Sequence, residues 1–171
     1  MKQPIEKKFL AAYDAHADAI FRHCMIRVYS KDKAEDLVQE TFVRVWRYLE
    51  KGEEVENIRA FLYKVANNLI IDQSRKKKEE RLEEMIEAQR IKEPSHPGHK
   101  AIEAQTLLGQ VFESMEGLPE EQKQLLTMRF VDDLDPKEIA EVMGITANNV
   151  SVKINRAVAA LKARFEPGTT R

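Results

Sequence analysis

The chain is poor in the residues that cross-link or punctuate a fold. It has one cysteine, Cys24, among 171 residues, so no internal disulfide can form, and a reducing cytoplasm suits it. Glycine and proline number only six each. With 43% apolar and 33% charged residues, this is a soluble, helix-prone composition. No run of about 18 apolar residues exists, which argues against a membrane span or stable membrane insertion. The first residues are polar and lack the apolar core of a signal peptide. Strand periodicity is missing. So are a glycine-rich phosphate loop, paired carboxylates in an apolar setting and a nucleophile motif. Nothing here supports an enzyme: no catalytic residues and no cofactor are expected. His16 and His23 stand seven apart with Cys24 beside the second, and His96 and His99 lie in a Pro/Gly-rich stretch. Neither group has a ligand framework, so no metal is expected.

An excess of positive charge is also lacking, since the net charge is −1. Its distribution is uneven, however. Residues 64–78 hold Lys64, Arg75, Lys76, Lys77 and Lys78 against Asp72, a net of +4. Residues 145–171 hold five bases against Glu166, again +4. Residues 101–144 carry ten acids and three bases, a net of −7. Two basic patches on an acidic background suggest two separate contacts with a polyanion. Solvated lysine runs are the plainer alternative.

The most informative stretch is residues 135–161, which reads as two helices and a short turn. Asp135 is suited to cap the first helix, Pro136 falls at its N1 position, and Glu138 completes a capping box. Gly144 suits a left-handed stop, and Thr146 caps the second helix. Ala140, Gly144 and Val150 have the spacing of a helix-turn-helix: a small residue at the crossing, a glycine turn and an apolar plug. With Val150, Ile154 and Leu161 inward, the second helix presents Asn148, Ser151, Val152, Asn155 and Arg156. Asn and Arg can bond base edges in pairs, and Lys153 can reach phosphate. A helical hairpin within an all-α core is the competing reading.

The remaining segments are also helical. Residues 5–28 place Phe9, Tyr13, Ala17, Ile20, Phe21 and Val28 near one face. A second helix, capped by Ser30 or Asp32, runs to about Leu49 on a stripe of Ala34, Leu37, Val38, Phe42, Val45, Trp46 and Leu49. Its other side mixes Asp36, Gln39, Glu40, Val43, Arg44 and Arg47, a face suited to a partner. A polar loop follows at 50–57. Asn57 caps a third helix from Ile58 to about Arg90, with Phe61, Leu62, Val65, Ala66 and Leu69 apolar. Tyr63, Lys64, Asn67, Asn68 and Asp72 lie along its more polar side, where aromatics and amides beside a basic run can engage unpaired bases. Residues 79–100 read as a flexible linker, part frayed helix and part coil, broken by Pro94, Pro97 and Gly98. Helices resume at Ala101 and end at Gly117. Another spans Pro119 to Val131, with Pro119 at N1 and Leu125, Leu126, Met128, Phe130 and Val131 on the core side. The expectation is an all-α chain of two small helical domains, residues 1–78 and 101–166, with a tail at 167–171.

The order of these parts resembles the sigma-70-type transcription initiation factors of RNA polymerase. Asp36-Leu-Val-Gln-Glu-Thr-Phe-Val-Arg-Val-Trp46 is similar to their polymerase-binding helix. Ala60-Phe-Leu-Tyr-Lys-Val-Ala-Asn-Asn-Leu-Ile-Ile-Asp72, with Gln-Ser-Arg-Lys-Lys-Lys after it, resembles their promoter-melting and −10-reading helix. Leu118-Pro-Glu-Glu-Gln and Ile139-Ala-Glu-Val-Met-Gly-Ile resemble their −35-reading domain. The resemblance covers residues 9–78 and 101–165, and two domains alone point to the extracytoplasmic-function group. It implies a non-catalytic, cytoplasmic specificity subunit that binds core polymerase through the clamp and flap regions, and promoter DNA. It also implies an anti-sigma protein as partner. Asp36, Gln39, Glu40 and Val43 would dock the clamp. Loop 50–57 would help form a pocket for a flipped −10 base, flipping costing a few kcal/mol. Tyr63, Lys64, Asn68 and Asp72 would line the strand, with residues 75–78, Arg75 and Lys76 among them, holding phosphates. Ser151, Val152, Asn155 and Arg156 would read the −35 duplex, flanked by Asn148, Asn149 and Lys153. Two residues depart from the group. Asn148-Asn149-Val150 stands where Gly-Thr-Val is common, and Phe61 stands where tryptophan is frequent. Neither bears on the fold; both bear on the promoter sequence, and the Asn148-Asn149 start is where the chain is expected to differ from its relatives. Two other readings of the residues are a stand-alone helix-turn-helix regulator and a helical adaptor.

Overall fold

The computed structural model describes residues 4–87 and 107–165. Within them the chain forms α1 (Ile5–Val28), α2 (Lys31–Glu50), α3 (Ile58–Glu87), α4 (Leu107–Met115), α5 (Glu120–Leu126), a π-helical turn (Thr127–Val131), α6 (Pro136–Met143) and α7 (Ala147–Phe165). There is no strand among the described residues. The stretch with Pro94, His96, Pro97, Gly98 and His99, the residues Ala101 and Ala104, and the tail 167–171 lie outside the described residues.

Local signals fix most helix ends. Tyr29 ends α1 in the left-handed region at φ 47°, its N–H reaching Met25 O. Ser30, rather than Asp32, caps α2 by accepting from Lys33 N. Asn57 Oδ1 accepts from Ala60 N at 3.0 Å and starts α3. The α2 stripe is buried as expected at Ala34, Leu37, Val38, Phe42, Val45 and Leu49. Trp46 is half-buried and meets Phe9 edge to face at 5.1 Å. On α1, Ala12, Ile20, His23, Cys24 and Ile26 are buried, whereas Tyr13 is 45% exposed. Tyr13 instead lays its ring edge against Phe42 at 4.8 Å. α3 continues as regular helix to Glu87 because Glu, Lys and Arg are strong helix formers that need no apolar contact.

The segment expected as one helix from Pro119 to Val131 is divided. Pro119 is the N-cap rather than N1 of α5. From Thr127 the backbone widens into a π turn, with Asp132 N bonding Thr127 O at 3.0 Å, five residues back. The widening changes which side chains face inward. Phe130, expected in the core, is 65% exposed, and Val131 is half-buried. Asp132 and Leu134 turn inward instead, at 7% and 0% exposure, with Asp133 held at φ 53° between them.

The helix-turn-helix forms as its residues dictate. Glu138 N donates to Asp135 Oδ1 at 2.9 Å, and Asp135 N donates to Glu138 Oε2 at 3.1 Å, a complete capping box. Gly144 takes φ 67°, which a side chain would strain. Thr146 Oγ1 accepts from Asn149 N at 3.2 Å. Val150, fully buried, joins Ile139 and Val142 in the core.

The two halves pack on each other. One apolar cluster runs from Ile20, Cys24, Leu62 and Tyr63 through Leu125, Met128, Leu134 and Ile139 to Val150 and Ile154. α3 packs against α6, and α1 against the π turn and α4. The described halves are therefore joined by a shared core as well as by the chain.

Candidate nucleic-acid interface

α7 carries the clearer of two candidate surfaces. Val150, Ile154 and Ala157 are buried, with Val158 and Leu161 half-buried behind them. That orientation leaves Asn148, Asn149, Ser151, Val152, Asn155 and Arg156 exposed together. Val152 is 41% exposed, enough for an apolar contact with a base methyl. Ser151 Oγ donates back to Ala147 O at 3.2 Å. Lys153 is half-buried and bonds Glu121 Oε1 of α5 at 2.6 Å, so it would reach phosphate only after leaving that pair.

α3 carries the second. Lys64, Asn68, Asp72, Arg75 and Lys76 are exposed, following one another at three- or four-residue spacing apart from the last. Tyr63 does not stand with them. It is 1% exposed and meets the His23 ring edge to face at 5.3 Å. Burial beside Asp132 pushes its hydroxyl above the usual tyrosine range. The turn of α3 that presents Lys64 directs Tyr63 toward α1, so in this arrangement a DNA strand could not touch it. Asn67 is likewise buried.

Loop 50–57 and the start of α3 enclose a cavity of about 260 Å³ lined by Tyr48, Glu54, Val55, Glu56, Asn57, Ala60, Phe61, Lys64 and Glu141. Tyr48 and Phe61 form an aromatic wall, their ring centroids 4.7 Å apart. Such a wall can stack on a base, and Lys64 can meet its phosphate. A larger cavity of about 450 Å³, bordered by Ile5, Lys8, Leu49 and Gly52, also touches this loop.

On α2, Asp36, Gln39 and Val43 are exposed, Val43 at 41%. Glu40 is half-buried and accepts from Arg44 Nε at 2.9 Å. An exposed pair of this kind is worth about 0.3–0.5 kcal/mol, a small cost to a partner that would use Glu40. Among the described residues, no group of His, Cys, Asp and Glu could hold a metal.

Residues 12–80 match the family Sigma-70 region 2, and residues 108–161 match Sigma-70, region 4. The chain is similar to the ECF RNA polymerase sigma factor SigM of Bacillus subtilis, with 28% identity over 91% of this chain and 94% of that one. It is similar to SigL of Mycobacterium tuberculosis, with 29% identity over 94% and 91%. The chain belongs to the sigma-70 family, in its extracytoplasmic-function (ECF) group. Two solved structures share the sigma-factor fold at a TM-score of 0.71 and 21% identity. One is RpoE in complex with the anti-sigma factor NepR from Bartonella quintana, covering 95% of this chain and 99% of that one. The other is CnrH in complex with the cytosolic domain of CnrY, covering 96% and 91%.

In this sigma factor a charged seam joins region 2 to region 4. His23 Nδ1, fully buried, donates to Asp132 Oδ2 at 2.5 Å. The Arg27 side chain, also fully buried, pairs with Glu120 of α5 and donates to Asn67 Oδ1 at 3.1 Å. Burial lowers its pKa, an effect the Glu120 carboxylate opposes. Asn67 Nδ2 in turn donates to Gln124 Oε1 at 3.4 Å. Arg59 bonds Glu138 at 3.3 Å and Asp132 O at 2.8 Å. The Tyr29 and Phe112 rings stack at 4.5 Å. Removing one partner of a buried charge pair typically costs about 3–5 kcal/mol.

Arg59, Arg27 and His23 were not among the site residues expected from sequence. The one sequence signal bearing on them is the acidic stretch 101–144, whose net −7 gives basic residues of the first half a complementary surface to meet.

Proposed function

We propose that this chain is the promoter-specificity subunit of a bacterial-type RNA polymerase, reading a two-part promoter and trapping the melted −10 strand. As an ECF sigma factor it directs RNA polymerase in transcription initiation and is an initiation factor rather than a catalyst. The observation that carries the finer reading is the pair of separate reading surfaces. One is the exposed row Asn148, Asn149, Ser151, Val152, Asn155 and Arg156 on α7. The other is the line Lys64, Asn68, Asp72, Arg75 and Lys76 on α3, beside an aromatic-walled cavity. A recognition helix suits the duplex major groove, and an aromatic pocket with flanking bases suits an unpaired strand. Tyr63, packed against His23 of α1, is not part of the second surface in this arrangement.

The α2 face of Asp36, Gln39, Glu40 and Val43 would dock the clamp of the polymerase's largest subunit, and region 4 its flap. An anti-sigma factor accompanies RpoE in its solved structure, and a similar protein is a fitting partner here. No described helix is long and apolar enough to cross a membrane, and the chain would act in the cytoplasm beside the polymerase.

The test is transcription in vitro with purified core polymerase on promoters selected from random DNA by the holoenzyme. The expected outcome is promoter-specific transcripts that disappear with Gln39→Ala plus Glu40→Ala, at unchanged helix content. Footprinting of duplex DNA by the free chain, with no transcript from the holoenzyme, would instead make it a stand-alone regulator.

A further inference from the structure

The reading helix carries two cations on one flank, and they are held differently. Asn149, Lys153 and Arg156 follow one another at four- and three-residue spacing, so they share a side of α7. Asn149 and Arg156 are exposed. Lys153 turns back to α5 instead, where its Nζ donates to Glu121 Oε1 at 2.6 Å. The Lys153 and Glu121 side chains are 35% and 51% exposed, so neither needs the other to offset burial. Exposed pairs of this kind add little to stability. Acids in the first turn of α5 suit its helix dipole, and Glu120 and Glu121 both stand there. The dipole does not decide where they point, however. Glu120 reaches across to Arg27 of α1, whereas Glu121 reaches the flank of the reading helix.

We propose that Glu121 sets the stringency of −35 reading, by keeping Lys153 off phosphate until α7 is seated on the right bases. The inference rests on the −35 assignment given above and adds a residue that sharpens it. A phosphate contact carries no sequence information. A lysine free to make one strengthens binding to any duplex, and wrong sites gain along with right ones. Tied to Glu121, Lys153 has to exchange a carboxylate for a phosphate, which leaves the Glu121 charge unmatched beside the backbone.

The two kinds of site drive that exchange unequally. At a wrong site α7 lacks the base contacts that would hold it in the groove, so the tie persists and one phosphate contact goes unmade. At the right site Asn155, Arg156 and their neighbours hold the helix close, and the backbone is brought up to Lys153. An element that weakens the wrong complex more than the right one widens the gap between them.

The experiment uses holoenzyme assembled from core polymerase and the full chain. The probes are two fluorescein-labelled duplexes, one a holoenzyme-selected promoter and the other identical except for a scrambled −35 half. Affinity is read by anisotropy over a salt series. Glu121→Gln should bind the scrambled duplex about fivefold tighter near 0.1 M salt, with a log–log salt slope steeper by about 0.9, the signature of one added phosphate contact. On the selected promoter the gain should be smaller and the slope unchanged, because the contact is already made there. Adding Lys153→Gln to Glu121→Gln should abolish the gain on the scrambled duplex. Core affinity and helix content should match the wild type's throughout. Equal tightening on both duplexes overturns the proposal. So does a gain that survives Lys153→Gln, since Glu121 would then act by its own charge alone. Weaker binding by Glu121→Gln also overturns it, and would make Glu121 a residue that positions Lys153 for phosphate. Failure of the −35 assignment would appear separately, as a wild-type holoenzyme that binds both duplexes equally, and would remove the proposal with it.

Discussion

The two reading surfaces differ in how ready they are. On α7 every expected reading residue except Lys153 is exposed. The helix that carries them is fixed from behind by Val150, Ile154 and Ala157. On α3 the exposed line is complete from Lys64 to Lys76, yet Tyr63 is enclosed and the adjoining cavity has a region 4 carboxylate on its wall. The difference follows from what each helix packs on. α7 packs chiefly on α5 and α6 within its own domain, whereas α3 is flanked by α1, α2 and α6. Duplex recognition can be preformed because its helix needs only one scaffold. The surface proposed for strand trapping lies instead where the other domain borders it, through Glu141.

α6 is the wall shared by both surfaces, and breaking it should disturb them in opposite senses. Ile139 is fully buried within the common core. Ile139→Ala should cost about 2–5 kcal/mol of stability, measured by denaturant unfolding. Below the unfolding transition, −35 duplex affinity should fall while −10 strand affinity rises. A parallel fall in both would mean that α6 supports the two surfaces without covering either. A smaller effect separates the surfaces directly. Arg156→Ala should weaken duplex binding by about 1–3 kcal/mol if it reads a base, and leave strand binding unchanged. An unaltered −35 preference would remove Arg156 from the reading set.

What the sequence discloses follows the range of each interaction. The caps at Ser30, Asn57, Asp135 and Thr146 bond partners three residues away. Chemistry at that range is visible in the order of residues. The helix-turn-helix was legible for the same reason, as was the exposed face of α7. The seam was not. His23 and Asp132 are 109 positions apart, and nothing near either residue announces the other. Periodicity also assumed a regular helix through Val131. A π turn breaks that assumption: periodicity places Phe130 inward, whereas the backbone turns it out and brings Asp132 in. The polar neighbours Lys64, Asn67 and Asn68 place Tyr63 on the more polar side of α3, yet it is 1% exposed. Asn67 is polar because it bonds Arg27 and Gln124 inside the seam, not because it faces solvent.

The smallest effect distinguishes the covered side from the open one by pH. Cys24 lies on α1, fully buried beneath the seam, where desolvation and then the Asp132 carboxylate push its thiol up to about 12. An unfolded chain gives up that proton near the ordinary value of about 9. Between those two values the folded state holds a proton that the unfolded state has lost, so stability falls as pH rises through the window. At pH 9.5 the loss should still be below about 1 kcal/mol, because that pH lies only about half a unit above the unfolded thiol's value. Cys24→Ala should flatten the slope of stability against pH from about 8.5 to 9.5, whatever its effect on absolute stability. Tyr63, also raised, begins to contribute only nearer its own usual range. If region 4 is what keeps the thiol protonated, a chain whose seam is cut by Glu120→Gln, Asp132→Asn and Glu138→Gln together should lose much of the same slope with Cys24 still present. An undiminished slope in that variant would assign the burial of Cys24 to region 2 alone, and the seam would then cover less of α1 than the ring and ion-pair contacts imply.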